Sequence, residues 1–279
     1  LGDEEKARGV IIGRDSRNNS DIFARRCAEV LSAHGIKVYL YDGIRPTPEL
    51  SFGVRYLNCI AGINITASHN PSEYNGYKLY WEDGSQPTKE NADKVSALIA
   101  GADILTDVPT PADTKEEFIN IVGPELDREF LKCVQGETVY PDVVAKAADS
   151  LKVVYTPLFG AGATHAPEIM RRIGLKHVYT VDEQMAPNGD FPGLDKPNPE
   201  YPQVFELGIE IANRVGSDLI VATDPDADRV GVMTRTADGS FVTITGNQMG
   251  ALLLDYILTA YEETGSMPEP MLSWNTHFS

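Results

Sequence analysis

The chain has 279 residues, 42% of them hydrophobic and 23% charged, ordinary proportions for folded protein and enough for roughly two domains with separate cores. A net charge of −17 argues against nucleic acid or an anionic membrane as partner. No run approaches the length and apolarity of a membrane-spanning helix, and Leu1–Lys6 has no signal-peptide pattern.

Cys27, Cys59 and Cys133, odd in number and scattered, read as reduced thiols of a cytoplasmic protein. The chain does not begin with methionine and reads as a piece of something longer.

In chain order, Val10–Ile12 reads as a buried strand followed by the charged loop Gly13-Arg14-Asp15-Ser16-Arg17. Ser20 or Asp21 is placed to cap a helix from about Ile22 to Ala33, closed by Gly35. A strand over Lys37–Tyr41, a helix opened by Pro48 and a strand over Cys59–Ile65 follow. This alternation predicts a layered α/β domain. Thr88–Ala100 reads as helix and Gly101–Thr114 as linker. Glu116–Gln135 has helical periodicity, interrupted at Gly123-Pro124.

A second α/β unit opens at Leu151–Tyr155. In its turn, Gly160 and Gly162 fit the start of a dinucleotide fingerprint, with Asp182 downstream, but the third glycine position holds His165. The turn therefore reads as tight strand-to-helix packing, and His165 as a helix-start residue rather than a ligand. Ala186–Pro202 is an irregular loop, Val204–Arg214 a helix, Val230–Arg235 and Phe241–Ile244 a hairpin, and Gly246–Ala260 an amphipathic helix. The expected divisions are 1–115, 116–240 and the start of a third unit at 241–279.

Two loops carry candidate chemistry. After the strand ending at Ile65 comes Thr66-Ala67-Ser68-His69-Asn70-Pro71, and Lys78 starts the next strand. Pro71 forces a turn there, which would lift a hydroxyl, an imidazole and an ammonium to a sheet end, where open α/β folds bind ligands. The plainer reading is a Ser/Asn/Pro-rich surface turn. Downstream, Asp224-Pro225-Asp226-Ala227-Asp228-Arg229 also follows an apolar strand. In extended backbone its three carboxylates can face one side, where an all-oxygen set suits a hard cation such as Mg2+. A calcium loop of the EF-hand type is excluded, because its required glycine and glutamate positions hold Arg229 and Arg235. A solvated acidic turn is the alternative. The cations in or near the loop ends are Arg14, Arg17, Arg45, Lys78 and Arg229.

Together the two loops resemble the phosphoserine loop and the magnesium loop of the α-D-phosphohexomutases, in the same order and spacing, and the resemblance extends over residues 8–263. It implies two consecutive three-layer α/β domains with mixed sheets and the beginning of a third. It implies that Ser68 carries the phosphoryl group and that Asp224, Asp226 and Asp228 hold Mg2+ against the phosphoserine. His69 and Lys78 become candidates for proton movement, with Lys78 favoured as base if neighbouring cations lower its pKa. Arg229 would order the metal loop or contact the phosphoryl group, and Arg14 and Arg17 would bind substrate phosphate. The implied substrates are phosphorylated hexoses, glucose or mannose phosphates, with phosphate exchanged between the 1- and 6-positions through a sugar bisphosphate.

The family's sugar-selecting and later phosphate-gripping loops have no counterpart in this sequence, and Met271–Ser279 does not resemble the strand expected to follow. The chain alone is therefore expected to be a poor mutase. The alternatives are a metal-dependent sugar-phosphate phosphatase and a non-catalytic fragment.

Overall fold

The computed structural model describes residues 1–267; the reading of Met271–Ser279 lies outside them. The first unit comprises α1 (Asp3–Arg8), β1 (Val10–Arg14), α2 (Ser20–Ala33), β2 (Val38–Tyr41), α3 (Thr47–Tyr56), β3 (Ala61–Ile65), β4 (Tyr77–Trp81), α4 (Lys89–Ala100), β5 (Ile119–Val122) and α5 (Pro124–Gly136). Its sheet runs β4–β3–β1–β2–β5, parallel except for the β3–β4 pair. β1 is buried on both faces: Val10 and Ile12 pack with Ala24 and Ala28 of α2, and Ile11 packs with Leu50 and Val54 of α3. An unbroken apolar run is what a parallel strand covered on both faces requires.

The second unit comprises α6 (Pro141–Ala147), β6 (Lys152–Thr156), α7 (Gly162–Arg172), β7 (His177–Thr180), α8 (Asp182–Met185), α9 (Glu206–Val215), β8 (Leu219–Thr223), β9 (Val230–Arg235), β10 (Phe241–Ile244) and α10 (Gly246–Thr264). Its sheet runs β10–β9–β8–β6–β7, with β8–β6–β7 parallel and β8–β9–β10 antiparallel. The plan of the first unit is repeated. β6, β7, β8 and β9 take the places of β1, β2, β3 and β4, while α7 and α9 take those of α2 and α3. The serine loop between β3 and β4 and the aspartate loop between β8 and β9 are thus the same connection in two copies of one topology.

Several sequence expectations change. The helix expected over Glu116–Gln135 is a 3-10 turn (Glu116–Phe118), then β5, then α5. Pro124 starts α5, where its missing N–H costs nothing, and the Ile-Asn-Ile-Val stretch before it pairs with β2. The division at 115/116 therefore cuts off an edge strand of the first sheet. The division at 240/241 does the same to β10, which pairs with β9. Asn19, in a left-handed conformation, occupies the N-cap of α2 without a side-chain cap bond. Ser20, expected as a possible cap, instead donates to Asp15 Oδ1 (3.2 Å). Thr245 caps α10, whose Leu252, Leu253 and Leu254 stay exposed. No helix among the described residues is long and apolar enough to cross a membrane.

The glycines of the fingerprint-like turn have a packing role. A Cβ on Gly160 would stand 2.4 Å from Pro225 Cα, and one on Gly162 would stand 2.3 Å from Tyr155 Oη. Ala161 N–H donates to Pro225 O (2.8 Å), so the turn supports the aspartate loop from below. Gly160→Ala is expected to push that loop away and to cost about 1–3 kcal/mol, the usual range for overpacking. Urea denaturation of the variant measures this; unchanged stability would mean that the loop yields freely.

Candidate active site

The serine loop is held from inside. Arg17, with its side chain fully buried, donates from Nη1 to the carbonyls of Pro71 (2.8 Å) and Tyr74 (2.8 Å), and from Nη2 to those of Ser68 (2.6 Å) and Asn70 (2.5 Å). Its Nε lies 3.4 Å from Asp15 Oδ2. Asp15 accepts from the Thr66 hydroxyl (2.6 Å) and from Arg17 N–H (2.9 Å), and Thr66 Oγ1 accepts from Ser68 N–H (2.8 Å). These bonds fix Ser68 at φ 51°, a left-handed conformation that costs a non-glycine residue about 1–2 kcal/mol.

The aspartate loop meets it across the junction of the two units. Asp224 and Asp226 are 0% exposed, and the left-handed Ala227 (φ 55°) bends the chain between Asp226 and Asp228. Ser68 donates to Asp224 Oδ2 at 2.7 Å across 156 residues of sequence. Arg229 N–H donates to Asp224 Oδ1 (3.0 Å). Thr47 Oγ1 donates to Asp226 Oδ2 (2.9 Å) while accepting from Asn64 Nδ2 (2.7 Å). Lys78 Nζ reaches Asp226 Oδ2 (2.8 Å) and Asp228 Oδ2 (3.1 Å). Asp226 Oδ1 is buried without a partner.

Burial, then the charges of Asp226 and Asp228, push the Asp224 carboxyl well above the ordinary range. Burial also opposes ionisation of Asp226, but the charge and hydrogen bond of Lys78, with help from Thr47, outweigh it and lower its pKa. One oxygen from each aspartate lies within 4.8 Å of the others. A mutually repelling, all-oxygen, mostly desolvated donor set with an orphaned oxygen fits a hard divalent cation.

Ser68, His69, Lys78 and the three aspartates are therefore together. His69 Nδ1 is 3.2 Å from Ser68 Oγ; burial and then Arg229 lower its pKa, favouring neutral imidazole. Which of His69 Nδ1 and Ser68 Oγ donates follows the imidazole tautomer. Without a cation on the aspartates Lys78 is an ammonium: burial works against its charge, but Asp226 and Asp228 overcome this and raise its pKa. Arg17 is corrected: all four of its terminal N–H groups are taken by carbonyls, leaving none for a substrate phosphate. Arg45, counted among the local cations, is tied to Asp127 (2.6 and 3.0 Å) and Asp42 (2.9 Å).

Arg14, half-buried at the end of β1, has no side-chain hydrogen bond or ion pair among the described residues. Arg229 extends to Glu200 (3.4 Å). Sequence reasoning missed Asp15, Thr47, Asn64 and Thr66. Each is an ordinary polar residue whose role depends on partners distant in sequence; the nearest signal was their position at strand or helix ends.

Burial pushes the Asp15 pKa up to about 6 from 3.8, against the bonds from Thr66 and Arg17. The folded state then holds this proton more tightly than the unfolded state. The resulting stability is fully present below pH 3.8 and is lost as pH rises to about 6. The stability of the native chain minus that of Asp15→Asn, which cannot titrate there, should fall across this window and be level above it. Urea titrations at several pH values read this difference; a constant difference would show that the donors cancel the effect of burial and leave the Asp15 pKa unshifted.

The family domain described as Phosphoglucomutase/phosphomannomutase, alpha/beta/alpha domain I matches residues 1–104, and the corresponding domain II matches residues 128–239. A phosphoglucomutase of Staphylococcus epidermidis is 39% identical over 266 residues, 94% of this chain and 47% of the relative. One from Staphylococcus aureus is 38% identical over 88% of this chain and 44% of the relative. The chain thus spans just under half the length of these relatives. A Thermus thermophilus structure, provisionally designated a phosphomannomutase, superposes with a TM-score of 0.74 at 29% identity, covering 90% of this chain and 53% of that one. A phosphoglucomutase/phosphomannomutase family protein from Burkholderia thailandensis shares the fold, with a TM-score of 0.68 at 21% identity over 90% of this chain and 51% of that one. With both domains matched in order and the serine and aspartate loops facing each other, the chain belongs to the α-D-phosphohexomutase (phosphoglucomutase/phosphomannomutase) family and represents an N-terminal portion of it.

Proposed function

We propose that this chain carries the phosphoryl-transfer centre of a phosphosugar mutase that moves phosphate between the 1- and 6-positions of a hexose, glucose phosphate first, through a sugar bisphosphate. The observation supporting this most directly is the 2.7 Å contact between Ser68 Oγ and Asp224 Oδ2, which joins a nucleophile-bearing loop to a cation-seeking one. A serine hydroxyl is a poor nucleophile at neutral pH, so a phosphoserine carrier needs its charge neutralised and its attacking group aligned.

In this reading Ser68 is phosphorylated at rest. Mg2+, held by Asp224, Asp226, Asp228 and a phosphoserine oxygen, would supply charge neutralisation on the transferring group. The Ser68 Oγ–P bond breaks as a P–O bond forms to the sugar hydroxyl. That hydroxyl's proton ends on Ser68 Oγ, with Lys78 as carrier. Lys78 serves only when Asp226 and Asp228 are engaged by the cation, since their free charges otherwise hold it as ammonium. His69 keeps its hydrogen bond on Oγ. Arg14, without a partner among the described residues, and Arg229, beside His69, are the proposed phosphate contacts, and Arg17 holds the loop.

Peptide mapping after incubation with glucose 1,6-bisphosphate and Mg2+ should find phosphate on Ser68 and none at that site in Ser68→Ala. Phosphate on another serine, or only free phosphate in solution, would overturn the assignment. Lys78→Met should split two properties: Mg2+ binds more tightly, because a competing cation has left the aspartates, while phosphoryl transfer falls roughly 10²-fold or more. Calorimetry and rapid-quench transfer read the two separately, and parallel losses would reduce Lys78 to a structural ion pair.

A further inference from the structure

We propose a second cation site, formed by Glu49, Asp127 and His165, that takes a borderline divalent metal of the zinc class and is separate from the aspartate loop. Glu49 projects from α3, Asp127 from α5 and His165 from α7, so the cluster joins the two units. Glu49 is 0% and His165 6% exposed. His165 Nε2 stands 3.0 Å from Glu49 Oε2, yet the two are not aligned for a hydrogen bond. Both carboxylate oxygens and both ring nitrogens are left without a hydrogen-bond partner. Buried polar groups are nearly always satisfied, and Glu49 Oε2 and His165 Nε2, 3.0 Å apart with neither hydrogen-bonded, mark a place for a shared partner.

The geometry suits an ion. One donor atom from each of the three residues lies within 4.8 Å of the others. Metal–ligand bonds of about 2.0–2.2 Å in tetrahedral geometry set donor atoms about 3.3 Å apart, near the separation already present between His165 and Glu49. Arg45 binds both Asp127 oxygens (2.6 and 3.0 Å) and leaves a lone pair on each, the arrangement by which an outer partner orients a ligating carboxylate. Asp42, also on Arg45 (2.9 Å), offsets that positive charge. The Phe130 ring lies 6.1 Å from the imidazole. A cavity of about 500 Å³ lined by Asp127, Thr164, His165 and Glu168 supplies an entry path and room for a water as fourth ligand.

The donor sets separate the metals. An imidazole with two carboxylates favours Zn2+, whereas three carboxylates favour Mg2+. Thr47, two residues before Glu49 on α3, donates to Asp226. An ion on Glu49 would therefore brace the helix end that holds the aspartate loop. The sequence had placed His165 as a helix-start residue; its burial beside Glu49 is a consequence of the junction.

The test is calorimetric titration of the chelator-stripped full chain with Zn2+ in excess Mg2+. One Zn2+ per chain is expected, with affinity at least about tenfold weaker in Glu49→Gln and in His165→Gln and unchanged in Asp226→Asn. Should either variant fail to fold, the native chain still decides: on 15N-labelled protein, Zn2+ should shift the His165 ring resonances. Absence of stoichiometric zinc, zinc lost only with Asp226→Asn, or an unshifted His165 would overturn the proposal and leave a direct His165–Glu49 ion pair.

Discussion

Asp224 and Asp226 lie with no exposed surface at the meeting of two sheets, and a carboxylate there is tolerated only when neighbouring donors or cations offset its lost hydration. Most of that compensation comes from the other unit. Ser68 and Lys78, on the serine loop and β4, and Thr47, at the start of α3, supply hydrogen bonds across the junction. The burial of these charges therefore depends on how the first unit docks, and the docking is specified in turn by the charges. Asn64 extends the chain of bonds into β3 through Thr47, so the position of Asp226 is tied to the strand that launches the serine loop.

Repetition of one topology explains why the loops meet. Each follows the third strand of its unit in sequence and leads into a strand that turns back antiparallel to it. Each also carries one residue in a left-handed conformation, Ser68 and Ala227. Such backbone persists only where its surroundings over-determine it. For Ser68 these are the four carbonyls gathered by Arg17; for Ala227 they include the Pro225 carbonyl held by Ala161. Support of this kind keeps reacting groups in place without borrowing rigidity from a ligand.

The acidic chain and the proposed phosphate chemistry are reconciled locally. A net charge of −17 repels anions at long range, but surface charge is screened within about 8–10 Å at physiological salt. Few cations remain for a substrate. Arg17 is taken up by the serine loop, Arg45 by Asp127 and Lys78 by the aspartates. That leaves Arg14 and the partly exposed Arg229, and it makes a divalent cation in the aspartate loop the natural balance for a second anion.

Much was legible in the sequence. The run Val10–Ile12, the helix signals and the two apolar strands feeding polar loops identified two α/β units, because period and turn chemistry are local properties. Ser68 and the Asp224, Asp226 and Asp228 spacing stood out only together, by resembling one family's two loops in order and spacing; each loop alone also read as a surface turn. Tertiary structure decided the rest. Ile119–Val122 became strand because β2 offered an open edge, which outweighed helical periodicity. Arg17 became a scaffold, Lys78 a counter-ion and His165 the neighbour of Glu49 through burial and partners contributed by distant segments. A side chain's type fixes what it can donate, accept or ionise. Its protonation and role follow from the desolvation and charges around it, and those exist only once the two units have met.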